Sequence, residues 1–332
     1  MDEIITLDYG SGGKKTARLI ESMIVPAFGN PALDELGDGA IVPGAERLVF
    51  STDSFVVDPV FFPGGDIGKL SVCGTVNDIA VSGGVPKYLS CAFIIEEGFE
   101  LSALERIIAS IRKAAAEAGV SVVTGDTKVV EKGRGDGIYI NTAGIGFLKF
   151  PGLSPRAIRP GDKVIISGTA GDHGTAVMLA RSGMMQGGLH SDCAALNGLC
   201  ETLLASGVKV RVLRDPTRGG AATTLNEFIE GTALGIELDE KLIPVSPGVQ
   251  AACGMLGLDP LYCANEGKLL AVVAPEDAER AAEIMRGTEA GRNAAVIGKV
   301  TEDHPGKLVM NTSFGGRRIL QKLTGAQLPR IC

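Results

Sequence analysis

The sequence predicts an α/β (α+β) protein of two domains followed by a C-terminal tail. Of its 332 residues 45% are apolar, enough to bury more than one core. The 46 glycines and the absence of tryptophan indicate aliphatic packing with many tight turns. Short aliphatic runs also alternate with segments of helical periodicity, so we expect an α/β arrangement in both domains.

In the first half, residues 48–51 and 120–123 predict buried strands that run into polar loops. Between them, Ser102 and Glu105 have the spacing of a capping box. Apolar side chains follow at helical spacing until Gly119, which predicts a helix from about residue 101.

The composition changes at residues 150–155 (Phe-Pro-Gly-Leu-Ser-Pro), and residues 163–167 then predict a new strand. Residues 167–174 open a helix, and residues 268–273 form a strand before another helix from Pro275. The predicted divisions are an N-terminal Gly-rich segment at 1–36, an N-terminal domain at 37–150, a second domain at 151–310 and a mobile tail at 311–332.

Charge and cysteine usage exclude several classes of protein. The 39 acidic residues exceed the 32 basic ones, and the net charge of −7 argues against nucleic acid as the main partner. No run reaches the roughly 18 apolar residues of a membrane span, and the N-terminus carries no targeting pattern. The seven cysteines contain no Cys-x-x-Cys pair, which suits reduced thiols in the cytoplasm. His190 and Cys193 lack the second pair that a closed zinc site requires.

Four aspartates lie among small residues, where strand ends or loops are expected. Converging carboxylates of this kind suit hard cations held against phosphates. A single loop aspartate is more often a turn former or a helix cap, but the shared pattern favours a metal set. These residues are Asp38, Asp53, Asp78 and Asp126.

Residues 9–15 (Tyr-Gly-Ser-Gly-Gly-Lys-Lys) combine flexible backbone at Gly12 with the ammonium groups of Lys14 and Lys15. Such a segment suits phosphate oxygens, although a surface loop explains the same residues.

Further candidates lie in the second half. The glycines at 168, 171 and 174 could present amides to a phosphate or allow close helix packing, and His173 between them is structural or catalytic. Asp215 near a helix start is an N-cap or a phosphate or metal contact. Glu266 immediately precedes a strand, where a carboxylate can act as a base.

Taken in order, eight segments resemble the superfamily of aminoimidazole ribonucleotide (AIR) synthetase, selenophosphate synthetase and thiamine monophosphate kinase. Within it they look like the HypE family of hydrogenase maturation factors, which the terminal Pro-Arg-Ile-Cys distinguishes from the other members. The match spans essentially the whole chain. The matching segments are residues 9–15, 52–54, 76–80, 124–129, 171–174, 214–220, 265–267 and 329–332.

The resemblance implies an ATP-dependent enzyme that uses Mg²⁺. HypF would place a carbamoyl group on the sulfur of Cys332, and the chain would dehydrate it to a thiocyanate. The HypC–HypD complex would accept the cyanide for hydrogenase iron. It also implies a homodimer that pairs through the N-terminal sheet, with nucleotide near the interface.

The resemblance also implies residue roles. Cys332 would carry the reacting group, and Lys128 and Glu266 are the alternative bases. The metal ligands would be the four aspartates already named. The nucleotide-binding residues would be Gly12, Lys14, Lys15, Asp38, Asp53, Asn77, Asp78, Asp126, Thr127, Asp215 and Arg218.

Two other functions remain open from the sequence. The same cleft could phosphorylate a small molecule, as the kinase relatives do, and Cys332 would then be an incidental terminal thiol. A metal or sulfur carrier could use Cys332 as a handle, but one thiol is a thin ligand set and the aspartates would have no use.

Overall fold

A computed structural model describes residues 4–37, 39–184, 188–323, 325, 328 and 330–332. The strands are β1 Leu48–Phe55, β2 Phe61–Phe62, β3 Gly65–Asp66, β4 Gly84–Glu96, β5 Ser121–Val130, β6 Ile138–Leu148, β7 Lys163–Ile166, β8 Val210–Arg214, β9 Gly235–Asp239, β10 Leu270–Val273, β11 Ala295–Thr301, β12 Leu308–Asn311 and β13 Arg317–Leu320. The helices are α1 Lys14–Leu19, α2 Val25–Phe28, α3 Pro31–Asp34, α4 Ile67–Val81, α5 Leu101–Ala118, α6 Asp172–Arg181, α7 Asn197–Ala205, α8 Gly220–Ile229, α9 Pro247–Leu256 and α10 Ala278–Arg286.

The first half of the chain forms a four-stranded sheet in the order β1-β6-β4-β5. Only the β4–β5 pair is parallel, because α5 makes the crossover between these two strands. The predicted helix is confirmed, and it ends where Gly119 takes φ of 69°. The predicted capping box is wrong: the helix begins at Leu101, two residues too early for Ser102 to cap it, and no side chain caps it.

The two strands of the first half lie where they were predicted, but they are less buried than predicted and continue into the segments that were predicted as polar loops. Strand β1 is mostly half-buried or exposed, and it continues through Asp53 to Phe55. Strand β5 likewise includes Asp126 and Lys128. These polar residues therefore belong to strands, where alternate side chains point to opposite faces of the sheet.

Helix α4 corrects a second expectation. The segment around Asn77 and Asp78 was predicted as a strand end or loop, but it lies in the last turns of this helix. Nearly every residue of α4 is buried, so the sequence lacks the polar stripe that marks a surface helix. Ala80 and Val81 pack with Leu196, Leu199 and Leu213, and α4 thereby joins the two halves.

The second half forms a seven-stranded sheet in the order β13-β12-β9-β11-β7-β10-β8. Its neighbours are antiparallel except for β12 and β9. Helix α8 lies in the apolar cluster on one face and α10 in the cluster on the other. The α/β (α+β) prediction is confirmed.

The predicted mobile tail is wrong in its first part. Residues 317–320 form β13, which pairs with β12 and adds an edge strand to the large sheet. Asn311 already lies in β12, and Gly315 takes φ of 88° in the turn of this hairpin. The glycines of this segment therefore make a turn rather than a flexible tether.

In the part of the chain described, no helix is long and apolar enough to cross a membrane.

Candidate active site

Acidic side chains from both halves of the chain influence one another's pKa values, and the region they share is called the acidic cleft below. Asp53 is on the inner face of β1, Asp78 is on α4, and Asp215 follows β8. Ser51 Oγ donates to Asp78 Oδ2 at 2.7 Å. Burial raises the pKa of Asp78, the Ser51 hydrogen bond opposes this, and repulsion from Asp53 adds to it.

Asp215 is the most perturbed of these aspartates. Its side chain is buried, and burial followed by repulsion from Asp78 raises its pKa to about 7. The predicted capping role is wrong, because Gly219 is the N-cap of α8. Repulsion from Asp78 and Asp53 disfavours the charged form of Asp215, so positive charge beside this residue would be favoured.

Glu266 lies deeper in the same cleft. It is 2% exposed, and its Oε1 has no hydrogen-bond partner among the residues described. Burial raises its pKa well above the usual range, and the charges of Asp215 and Asp192 add to this. The raised pKa favours the neutral, protonated form of the carboxyl in this state.

The thiol of Cys332 lies beside Glu266. Burial raises the pKa of this thiol well above its usual range, the Glu266 carboxyl raises it further, and the nearby Arg218 guanidinium lowers it. Of the predicted catalytic residues, the structure thus brings Cys332 and Glu266 together, with Arg218 at the edge of the pair.

The end of the chain is held in the cleft by specific contacts. Ile331 is buried within the apolar cluster of the N-terminal half. His173 Nε2–H donates to the Ile331 carbonyl at 2.6 Å, and its Nδ1 accepts from Ser191 Oγ at 2.8 Å. Burial lowers the pKa of His173, so the ring is neutral. The sequence left open whether His173 is structural or catalytic, and these hydrogen bonds place it against the end of the chain.

Asp192 was missed by the sequence reasoning. Its Oδ1 accepts from the main-chain N–H of Glu266 at 3.1 Å, and its Oδ2 accepts from Asn265 Nδ2 at 2.8 Å. Lys268 Nζ lies 3.3 Å from the same Oδ2. A Cβ at Gly267 would clash with the Asp192 carbonyl, so glycine is required for this close approach. Asp192 therefore fixes the segment that carries Glu266.

Asn77 also joins the halves of the chain. Its Oδ1 accepts from the Leu196 N–H at 2.7 Å, and its Nδ2 donates to the Ala194 carbonyl at 3.1 Å. The amide is fully buried and its groups are occupied by main chain. This arrangement favours a structural role over the predicted nucleotide contact.

Asp126 and Lys128 do not join the acidic cleft. The register aligns Asp53 with Thr142, Cys91 and Gly125 on the inner face. The neighbouring row places Asp126 beside Ala92 on the opposite face. Lys128 Nζ pairs with Asp126 Oδ1 at 3.0 Å, and this ion pair lowers the pKa of Asp126.

A separate cavity of about 270 Å³ lies between the N-terminal helices and β5. Gly12, Asp126, Thr127 and Lys128 line it. Gly12 takes φ of 77°. Among the predicted phosphate contacts nearby, Lys14 is exposed, and Lys15 Nζ lies 3.7 Å from Asp8 Oδ2.

The predicted metal set is not assembled as a whole. Among the residues described, no three His, Cys, Asp or Glu side chains are gathered closely enough to hold a metal ion. Asp38 lies outside the described residues. Asp53 and Asp78 are on the cleft side, whereas Asp126 is on the far face of the sheet.

Two sheet domains that enclose an acidic cleft define a two-domain protein of the AIR synthase related class. The family model described as "AIR synthase related protein, N-terminal domain" matches residues 36–148, and the corresponding C-terminal model matches residues 159–311. Carbamoyl dehydratase HypE of Cupriavidus necator is 51% identical over 332 residues, which cover 99% of this chain and 95% of that protein.

Solved structures agree with this assignment. The crystal structure of hydrogenase maturation protein HypE in complex with ATP is 48% identical with a TM-score of 0.95, over 98% of this chain and 99% of that one. The HypE chain matched in a HypE–HypF complex is 47% identical with a TM-score of 0.80, over 92% and 99% of the two chains. The chain belongs to the HypE family, as the resemblance predicted.

Proposed function

We propose that the chain uses ATP to dehydrate a carbamoyl group carried on the sulfur of its own Cys332. The product is a thiocyanate that provides the cyanide ligands of [NiFe]-hydrogenase iron. The observation that carries the proposal is the position of the Cys332 thiol beside the buried Glu266. The names of the relatives support the reaction class.

The chemistry follows from the poor leaving ability of an amide oxygen. ATP transfers its γ-phosphoryl group to this oxygen, the C–O bond breaks, and the oxygen departs in phosphate while the nitrogen loses both protons. The thiocarbamate and ATP thus become thiocyanate, ADP and phosphate.

Glu266 is favoured over Lys128 as the base within one chain. Glu266 lies at the Cys332 sulfur, whereas Lys128 is exposed on the other face of the sheet and pairs with Asp126. The unpartnered Oε1 of Glu266 can accept a proton once the carboxyl is ionised. Lys128 then serves the phosphoryl group rather than the nitrogen.

The docked thiol is a poor nucleophile because its pKa is raised. Cys332 therefore accepts the carbamoyl group away from the cleft, on HypF, and returns loaded. The solved HypE–HypF complex supports HypF as this partner. The HypC–HypD complex then takes the cyanide.

ATP and Mg²⁺ are the proposed cofactors. Asp53, Asp78 and Asp215 are not gathered closely enough to hold a metal ion by themselves, but a cation carried in on the phosphates would reduce their repulsion. The metal would neutralise phosphate charge there. The cavity lined by Gly12, Thr127 and neighbouring β5 residues brings together further residues that the family resemblance implies for nucleotide binding.

A homodimer through the outer face of the four-stranded sheet completes the proposal. Leu48, Phe50 and Ile94 are 50%, 68% and 44% exposed there, an unusual apolar surface for a sheet. Pairing of two such faces would bring Asp126 and Lys128 of each subunit toward its partner.

The test is mass spectrometry of the C-terminal peptide. Carbamoylated protein given Mg-ATP should lose one water's mass from the peptide that ends at Cys332. Carbamoylated protein without ATP is the control. An unchanged peptide mass, or ATP turnover with a free small molecule that survives Cys332→Ala, would refute the proposal.

A further inference from the structure

The side chain of Arg330 lies between two carboxylates of the N-terminal half. Its Nη1 donates to both oxygens of Asp136, at 2.9 and 3.0 Å. Its Nη2 lies 3.5 Å from Asp58 Oδ2. Asp136 lies between β5 and β6, and Asp58 follows β1, so two separate loops of the first sheet converge on one guanidinium.

The main chain of Arg330 is held as closely as its side chain. The Arg330 carbonyl accepts from the Asp58 N–H at 3.2 Å and from Arg181 Nη2 at 2.6 Å. Arg181 Nε also donates to the Asp58 carbonyl at 2.8 Å. Arg181 ends α6, so this contact ties the tail to both halves of the chain.

Ile331, the next residue, is also held through both its side chain and its carbonyl. The Ile331 side chain is 3% exposed within the N-terminal apolar cluster, and its carbonyl accepts from His173. Cys332 then lies beside Glu266. Each of the last three residues therefore has its own contacts, and the loops that provide them come from distant parts of the sequence.

Arg330 also adopts φ of 53°, a left-handed conformation that is unfavourable for an arginine. Contacts to its side chain and carbonyl offset this strain only while the tail is docked. The guanidinium reaches Asp136 with Nη1 and Asp58 with Nη2, and the single nitrogen of a lysine cannot occupy both positions. The side-chain contacts therefore select arginine at this position, and the backbone strain favours release of the tail.

We propose that Asp58, Asp136, Arg181 and His173 form a receptor site for the C-terminal tripeptide Arg-Ile-Cys, with Arg330 as its specificity determinant. The site positions the sulfur of Cys332 at Glu266. The inference rests on the proposed function, because it treats the tail as the arm that carries the reacting group. Docking can be measured without ATP or a carbamoyl group, so the two proposals fail independently.

The experiment is alkylation of Cys332 in the full, native chain by iodoacetamide. Endoproteinase Asp-N releases residues 303–332, which contain no other cysteine, so the mass of that peptide reports this thiol alone. Arg330→Glu and Asp136→Arg should each raise the alkylation rate on the order of fivefold to tenfold, because attraction becomes repulsion. The double variant Arg330→Glu/Asp136→Arg should return most of the way to the wild-type rate.

Two further variants sharpen the result. Arg330→Lys keeps the charge and loses the planar fork, so its rate should lie between the wild-type and Arg330→Glu rates. Arg156→Ala, an exposed arginine remote from the tail, should alkylate at the wild-type rate. A wild-type rate for Arg330→Glu, or a double variant as fast as the single ones, would overturn the proposal. Equal thermal unfolding midpoints show that the variants are folded.

Discussion

Asp192 accepts a hydrogen bond from the main-chain N–H of Glu266 at 3.1 Å. Its second oxygen lies 3.3 Å from Lys268 Nζ, and both of these side chains are largely buried. The position of the candidate base therefore depends on a residue that takes no part in the chemistry.

Replacement of Asp192 should separate stability from activity. Asp192→Ala leaves the Lys268 ammonium buried without its partner and should lower the free energy of unfolding by about 3 kcal/mol. Asp192→Asn keeps an acceptor for the Glu266 N–H and should retain more dehydration activity. Denaturant unfolding and single-turnover dehydration measure the two effects. Equal activity losses in the two variants would contradict the positioning role.

Glu266→Gln and Lys128→Ala should fail in different ways. Glu266→Gln removes the base and should slow dehydration of carbamoylated protein about 10²–10⁴-fold. The variant should be about as stable as wild type, because the raised pKa of Glu266 favours the neutral carboxyl that glutamine resembles. Lys128→Ala should slow phosphoryl transfer while carbamoylation by HypF continues. Stopped assays that measure ADP and thiocyanate separately distinguish these steps. Wild-type dehydration in Glu266→Gln would exclude it as the base.

Asp215 makes a specific contribution to the pH dependence of stability. Its folded pKa of about 7 exceeds the usual 3.8, so the folded state binds the proton more tightly. The protonated Asp215 therefore stabilises the folded state. This contribution to the free energy of unfolding is complete below about pH 4 and is lost as the pH rises to about 7, a change on the order of 4 kcal/mol. Asp215→Asn should therefore gain stability relative to wild type between pH 4 and 7.

The control for this measurement is Asp126→Asn. The Lys128 contact lowers the pKa of Asp126, so the stability it provides is lost only in acid, as the pH falls through that low pKa. The difference in free energy of unfolding between Asp126→Asn and wild type should stay constant between pH 5 and 8. Thermal or urea unfolding across this range measures both variants. A flat profile for Asp215→Asn would contradict the buried, protonated state.

The sequence singled out most residues of the candidate site, but it predicted less well which helices and strands carry them. The motifs at Asp53, Asp215 and Glu266 could be found because small residues around a single carboxylate form a local sequence pattern. The face on which Asp126 lies could not, because it depends on strand register, and a shift of one residue reverses it. Asp192 and His173 act through main-chain contacts with distant segments, and local sequence carries no signal for such contacts.

Magnesium should bind on the cleft side of the sheet. Without ATP, Mg²⁺ should raise the unfolding midpoint more at pH 8 than at pH 5, because protons compete with the metal for Asp215 and its neighbours. Asp53→Asn should reduce this shift, and Asp126→Asn should leave it unchanged. Calorimetric scans with and without Mg²⁺ test this. A shift that depends on Asp126 instead would place the cation on the other face.

The exposed face of the four-stranded sheet should hold the dimer together. Phe50 is 68% exposed in the middle of β1, and Tyr88 packs edge-on against Phe147 on the same sheet. A charge at Phe50 would be buried without a partner in the dimer, so Phe50→Asp should yield monomers by size exclusion with light scattering. Phe314→Asp is the matched control, because this 98% exposed ring lies in the β12–β13 turn, away from that face. A dimer that survives Phe50→Asp but not Phe314→Asp would place the interface on the large sheet.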